Sequence, residues 1–383
     1  MSLLQVHDKQ YNIDVMLMDE DIYSPAIPKQ DAAHEIDCGK FYISRMQSAN
    51  DATEVKIKYA DKPSETSYER GMWDAIDRFE NKAWSPATKG YKTGFKTIDD
   101  GFDGGIKPAF IIVAGESNIG KSAFISQLAW NIATLNNDEC YVMDFSLDDS
   151  LADKLARIVA CSGKVYINAA KTPLLYKEYP MMLIRRKQAL AKIRENTKNY
   201  RIYDSTEIGT YIEDIEEEIE NKLIYFKSNG IKKQVVVCID SFHDLNIKSK
   251  QSASDKEKFD YLAQWCADIA IKYDIIMLCT GEMKKTNSTK RPMLDDLKES
   301  SKIKYEAKAI LMVYNELHYK GENASVYFTE PGSTIKKPIF EVRFAKNKLA
   351  SYKGTEYFEF YPETALMKEC SDQQKKHFSS QGT

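Results

Sequence analysis

The segment GESNIGKS, Gly115 to Ser122, follows the pattern G-x-x-x-x-G-K-[ST]. Each fixed position has a chemical reason. Gly115 and Gly120 let the backbone turn tightly and aim its N–H groups inward, so Ser117, Asn118, Ile119 and Ala123 complete a cradle for phosphate oxygens. Lys121 is placed to reach the β- and γ-phosphates, and the Ser122 hydroxyl to bind Mg²⁺. A helix starting near Lys121 adds the positive end of its dipole. The expected ligand is a nucleoside triphosphate with Mg²⁺. A metal-ordering carboxylate should come from a second strand end. QVVVCIDSF offers Asp240, which doubles as an ordinary turn aspartate if the strand lies elsewhere. Hydrolysis also needs a group to orient or activate water. ECYVMDFSLDDS ends on Asp148 and Asp149, either of which suits that role, and both of which suit capping the helix that follows.

These residues need strands to carry them. AFIIVAG, ECYVMDFSL, QVVVCID, IIMLCTG, AILMVYN and FEVRFAKN are short apolar runs rich in β-branched residues, as buried strands are. Helical stretches such as SAFISQLAWNIA lie between several of them. The expected fold class is α/β, a doubly wound and mostly parallel sheet over residues 91–365. Before it, SETSYERGMWDAIDRFENKAW spaces Trp73, Ile76, Phe79 and Ala83 as one helix face, giving a linker helix within 66–90 that packs on its own domain or on a neighbouring subunit. Residues 1–65 read as a separate, partly β segment: EVKIKYA alternates apolar and charged residues, and KFYISRM does so more weakly. Residues 366–383 are polar and expected to form a flexible tail.

Composition narrows the function classes. The 383 residues carry a formal net charge of −3 and 43% hydrophobic residues, so the chain is globular and lacks a global basic field for nucleic acid. The seven cysteines are scattered without a CxxC pair, which argues against zinc and disulfides and for a reducing cytoplasm. No signal peptide or membrane span is expected. His243 follows Asp240 closely but has no partner motif, and a structural role suits it best.

Taken in series, five segments look like one family. TGFKTIDDGFDGGIKPAFIIVAGESNIGKSAF, FSLDDS, VCIDSFHDL, DDLKESSKIKYEAKAILMVYNE and FAKNKLASYKG resemble, in order and rough spacing, the RecA-like motor domain of DnaB-type replicative helicases. The resemblance covers Tyr91 to Pro362. It implies an ATP-hydrolysing DNA helicase that works in replication as a homo-hexameric ring, with ATP between subunits and single-stranded DNA in the channel. By position it implies Asp148 as the catalytic carboxylate, Lys346 and Lys348 as residues reaching the neighbour's γ-phosphate, and Glu282 as the phosphate sensor. Three departures stand out. Asp148 is one methylene shorter than the family's glutamate. Lys348 replaces an arginine and loses its bidentate fork. Glu282 replaces a neutral amide, and its charge calls for a nearby cation such as Lys284 or Lys285. Only about 65 residues precede the linker-like helix, so the family's helical collar is expected to be missing. Primase or a helicase loader are the further partners the family suggests.

A channel needs cations that track phosphates. NIKSKQSASDK supplies Lys248 and Lys250, and KVYINAAKTPLLYKEYP supplies Lys164, Lys171 and Lys177 as a second set; solvated loops are the plain alternative. Two rival functions remain on this reading. One is a RecA-like ATPase that loads factors or forms filaments without unwinding. The other is a nucleotide-gated assembly protein with little hydrolysis.

Overall fold

The computed structural model describes residues 3–8, 13–18, 35–37, 42–47, 53–58, 67–84, 86–250, 254–283, 290–297 and 301–381. They fall into two compact units, Met1–Ala83 and Trp84–Thr383. In the first, Leu3–Asp8 pairs antiparallel with Ile13–Met18, and Glu35–Asp37, Tyr42–Gln47 and Thr53–Lys58 form a three-stranded antiparallel sheet. The alternating run after Asp51 thus lies in a strand, as its pattern requires. The helix Ser67–Ala83 follows, with Ile76 and Phe79 exposed.

In the second unit, elements are numbered from its own start. The strands are β1 (Ala109–Gly115), β2 (Cys140–Ser146), β3 (Tyr200–Asp204), β4 (Gln234–Asp240), β5 (Ile276–Glu282), β6 (Ala309–Tyr314), β7 (Tyr327–Phe328), β8 (Lys337–Asn347), β9 (Thr355–Tyr361) and β10 (Leu366–Glu369). They form one sheet in the order β10-β9-β8-β6-β1-β5-β4-β2-β3, with β7 on β8. From β6 to β3 every pairing is parallel; β8, β9 and β10 run antiparallel. The sheet is therefore α/β and mostly parallel, as the alternation of runs and helices predicts. The helices that matter for the site are α1 (Lys96–Gly101), α2 (Lys121–Leu135), α3 (Leu151–Gly163), α4 (Ile167–Lys171), α5 (Pro180–Glu195), α6 (Ile212–Ser228) and α7 (Asp255–Lys272).

The central strand β1 is buried along its whole length. Its side chains alternate between two cores. Ile111 and Val113 join Phe124 and Leu128 of α2 on one face, while Phe110, Ile112 and Ala114 join Leu262 and Cys266 of α7 on the other. This is why the strand reads as a continuous apolar run rather than an alternating one. The α3 start is fixed by Ser150, whose hydroxyl accepts from the Asp153 N–H at 3.2 Å, and the α7 start by a Ser254–Glu257 capping box.

Residues 366–381 correct the expectation of a loose tail. Met367 lies in β10, paired to β9, and Phe378 of the helix Asp372–Gln381 is buried. The reason lies in α2. The Gln127 side chain donates to the Met367 carbonyl at 3.0 Å and accepts from the Met367 N–H at 2.8 Å, so an amide side chain pairs the strand as a neighbouring strand would. A polar sequence is held by backbone pairing that composition does not report. Gln127→Leu leaves both Met367 groups buried without these partners and is expected to cost about 2–4 kcal/mol. A lower thermal midpoint with faster amide exchange at Met367 is the outcome to look for; exchange equal to the parent's would show that β10 does not depend on this side chain.

Candidate nucleotide site

The loop between β1 and α2 is shaped by its two glycines. A Cβ at Gly115 would lie 2.5 Å from Ile119 Cδ1 and 2.6 Å from Val313 Cγ2, so the strand end has no room for a side chain. Gly120 has φ +113°, a left-handed conformation that glycine adopts without strain, directly before the first turn of α2. Ile119 is fully buried and pins the loop to the core. Lys121 folds back over the loop and donates to the Glu116 carbonyl at 2.7 Å. Burial pulls its ammonium below the usual lysine range, against the opposing charges of Glu282, Asp240, Glu116 and Asp148. An anion in the loop would relieve that penalty.

Asp240 ends β4, and the residue is only 4% exposed. Thr280 of β5 donates to Oδ1 at 2.7 Å, and the Ser122 hydroxyl lies 3.3 Å from the same oxygen. Lys154 of α3 is 3.5 Å from Oδ2. Burial alone would raise this carboxyl, but Lys154, Thr280 and Ser122 hold it below the usual range. A hydroxyl and an ionised carboxylate oxygen are the hard oxygen donors that suit Mg²⁺, so the donor set fits the expected metal.

Asp148 and Asp149 separate in role. The Leu147 and Asp148 N–H groups donate to the Asp240 carbonyl at 2.7 and 3.4 Å, tying the end of β2 to the end of β4. Arg157 grips the Asp149 carboxylate with both guanidinium nitrogens. Asp148 is exposed, and burial followed by the charges of Asp244, Asp149 and Asp240 raises its carboxyl above the usual range. Glu282 ends β5 level with Gly115 on β1. Its carboxylate accepts from the Ser117 hydroxyl at 3.4 Å, and its N–H donates to His243 Nδ1 at 3.2 Å. His243 thus braces a strand end, which accords with its structural reading. Ser117, Lys121, Ser122, Asp148, Asp240 and Glu282 are brought to one end of the sheet. Beside them lies a cleft of about 530 Å³ whose walls include Asn118, Lys121, Ser122, Arg157, His318 and Phe360, a size suited to a nucleotide.

Lys346 and Lys348 are not part of this cluster. Because β8 runs antiparallel to β6, Lys346 pairs with Ile310, near the start of β6, and Lys348 donates its N–H to the Lys308 carbonyl at 2.8 Å. Val313, against Gly115, is three residues further along β6, about 10 Å at strand rise. Both lysines lie at the opposite end of β6 from the loop of their own chain. Lys346 donates to the carbonyls of Lys304 and Tyr305, and burial with the charges of Lys348 and Lys308 pulls it down to about 8.

Lys248 ion-pairs with Asp214 of α6 and bonds its N–H to Glu213. Of the second set, Lys171 pairs with Asp153 and Lys164 caps α3 in a left-handed conformation. The side chain of Lys250, and Lys284 and Lys285, lie outside the described residues. Sequence reading missed Lys154, Thr280 and Arg157. The signal for Lys154 was its place with Ile158 on the buried stripe of α3.

The chain matches the model of the DnaB-like helicase C terminal domain over residues 90–366. It belongs to that family. It is 23% identical over 245 residues to a probable replicative DNA helicase of Trieres chinensis, covering 63% of this chain and 51% of that protein. It is 21% identical over 282 residues to the replicative DNA helicase DnaB of Geobacillus stearothermophilus, covering 72% and 55%. The chain thus spans about half the length of the curated relatives it matches. Among solved structures, one described as an ATPase domain superposes with a TM-score of 0.65 at 20% identity, covering 80% of this chain and all of that one. A DnaB-like replicative helicase described with its interactions with primase gives 0.64, also at 20% identity, covering 78% and 67%. These likenesses bear out the RecA-like fold and the family resemblance.

Lys121→Met removes a charge-assisted donor from the loop while keeping its length. Affinity for a fluorescent ATP analogue is expected to fall about 10- to 100-fold by titration. Unchanged affinity would mean that the loop does not grasp phosphate through Lys121.

Proposed function

We propose that this chain is an ATP-dependent DNA helicase of the DnaB type that translocates on single-stranded DNA in replication, acting as a hexameric ring in the cytoplasm. The observation that carries this reading is the pairing of Ser122 with Asp240 at 3.3 Å under a P-loop, in a family member whose Lys346 and Lys348 lie at the other end of the sheet. Such lysines serve a γ-phosphate only if the phosphate belongs to a neighbour. Among the described residues no helix is long and apolar enough to cross a membrane.

The roles follow from position. The loop N–H groups of Ser117 to Ala123 and Lys121 would hold the phosphates. Ser122 and Asp240 would hold Mg²⁺, which when bound neutralises charge on the transferring phosphoryl group. Asp148, beside Asp240 and exposed, would take the proton of the attacking water. Glu282, already at Ser117, would respond to the γ-phosphate through that contact. Lys346 and Lys348 would supply charge from the next copy, and Lys346, held near 8, would regain its full charge on meeting phosphate. The exposed Ile76 and Phe79 give the linker helix a face for a neighbouring copy. Lys248 and Lys250 would track DNA, with Lys248 exchanging Asp214 for a phosphate. A primase or helicase loader is a further partner on the family resemblance alone. The Lys248–Asp214 pair also favours a second reading, an ATPase that loads factors or forms filaments with a weak strand grip; failure to separate a forked duplex while hydrolysis continues would select it.

Two experiments test the assignment. Lys348→Ala and Lys121→Met are each expected to lose DNA-stimulated hydrolysis, and mixing them should restore part of it, because an intact loop in one copy meets an intact Lys348 from the other. A Lys348→Ala protein as fast as the parent, or no recovery on mixing, would remove the shared site. Asp148→Asn should bind nucleotide as the parent does but hydrolyse about 10²–10⁴-fold more slowly. A base works deprotonated, so the parent's rate should fall as pH drops through the Asp148 pKa. Since that pKa is raised, the fall should come at higher pH than for an ordinary aspartate, near 3.9. A flat acid limb would assign the base elsewhere.

A further inference from the structure

Lys154 has no exposed surface, and a lysine is almost never fully buried unless it is paired. Its ammonium lies 3.5 Å from Asp240 Oδ2 and 3.2 Å from Asp144 Oδ1. The contact to Asp144 is an ion pair rather than an aligned hydrogen bond. The other Asp144 oxygen accepts from the Tyr200 hydroxyl, and Asp144 is itself fully buried in β2. A polar chain therefore runs from Tyr200 on β3 through Asp144 and Lys154 to Asp240. Lys154 cannot touch a ligand, because no part of it reaches the surface.

The two Asp240 oxygens have different partners. Oδ1 faces Thr280 and Ser122, and Oδ2 faces Lys154. We propose that Lys154 is a positioning residue for the metal site: it anchors Oδ2 from behind, so that Oδ1 stays turned to the Ser122 hydroxyl, and Asp144 with Tyr200 holds Lys154 in place. This rests on the reading of Asp240 as the metal-side carboxylate. Partners of this kind set ligand orientation and tune metal affinity without touching the metal.

The test replaces the ion pair without changing the local net charge. Lys154→Met/Asp144→Leu removes one charge of each sign and makes the pair apolar; Met matches Lys in volume, while Leu is larger than Asp. Lys154→Gln/Asp144→Asn does the same while keeping polar groups, and serves if the apolar pair does not fold. The measurement is affinity for a fluorescent non-hydrolysable ATP analogue, in EDTA and across a Mg²⁺ titration. Affinity in EDTA should match the parent's, since Lys121 and the loop N–H groups are untouched. The Mg²⁺ concentration giving the half-maximal gain should rise about 10-fold or more. Should neither pair fold, Tyr200→Phe carries the test, with a smaller shift in the same direction. A folded variant with the parent's Mg²⁺ requirement, or a lower one, overturns the inference. Asp240→Asn separates the two failures. If it keeps the parent's Mg²⁺ gain, the metal assignment itself is wrong; if it loses the gain while the Lys154 variants keep it, only the role of Lys154 is wrong.

Discussion

One ionised carboxylate, buried at the end of a central strand, organises this end of the molecule. A charge so placed is costly unless every oxygen finds a partner. Asp240 finds them because β4 lies between β5 and β2. From β5 comes Thr280; from the helix after β2 comes Lys154; from the far side of β5, where β1 gives way to α2, comes Ser122. The Asp240 carbonyl in turn receives the N–H groups that fix Asp148. The strand order is thus what brings three distant segments to one carboxylate.

Much of this was legible in the chain. The glycines and Lys121 declare the loop, since few other tasks need that spacing. The apolar runs declare β1, β2, β4, β5 and β6, because strands buried on both faces have few polar positions to blur them, and β8 more weakly, with Glu341, Arg343 and Lys346 among its residues. Asp240 was legible as the polar residue closing such a run. What escaped has physical reasons. Crossover order is a tertiary choice that no local pattern records. β3 and β10 are short and polar: Arg201 of β3 is exposed, and β10 is held by Gln127 from 240 residues away. Lys154 gave only a weak signal, a lysine in register with Ile158 on the apolar stripe of α3. Asp148 and Asp149 were equivalent by pattern; the family resemblance pointed to Asp148, and in the structure Arg157, eight residues on from Asp149, grips Asp149.

The charges around the cleft are held in tension. Lys121 is less basic than a free lysine, Asp148 is less acidic than a free aspartate, and Lys346 is brought down by burial and by two neighbouring cations. Each shift has the sign that a polyanion with its metal would reverse or exploit. Stability is given up locally so that binding has something to repair.

The placement of the lysines on β8 has a geometric consequence. One end of the sheet carries the cleft and the other carries Lys346 and Lys348, so the proposed sharing of a site between copies joins unlike ends. Each contact must join unlike ends, and such contacts propagate. A linear row always leaves one cleft unfinished at its terminus. On that reading a closed ring finishes every cleft, and the number of working clefts equals the number of chains.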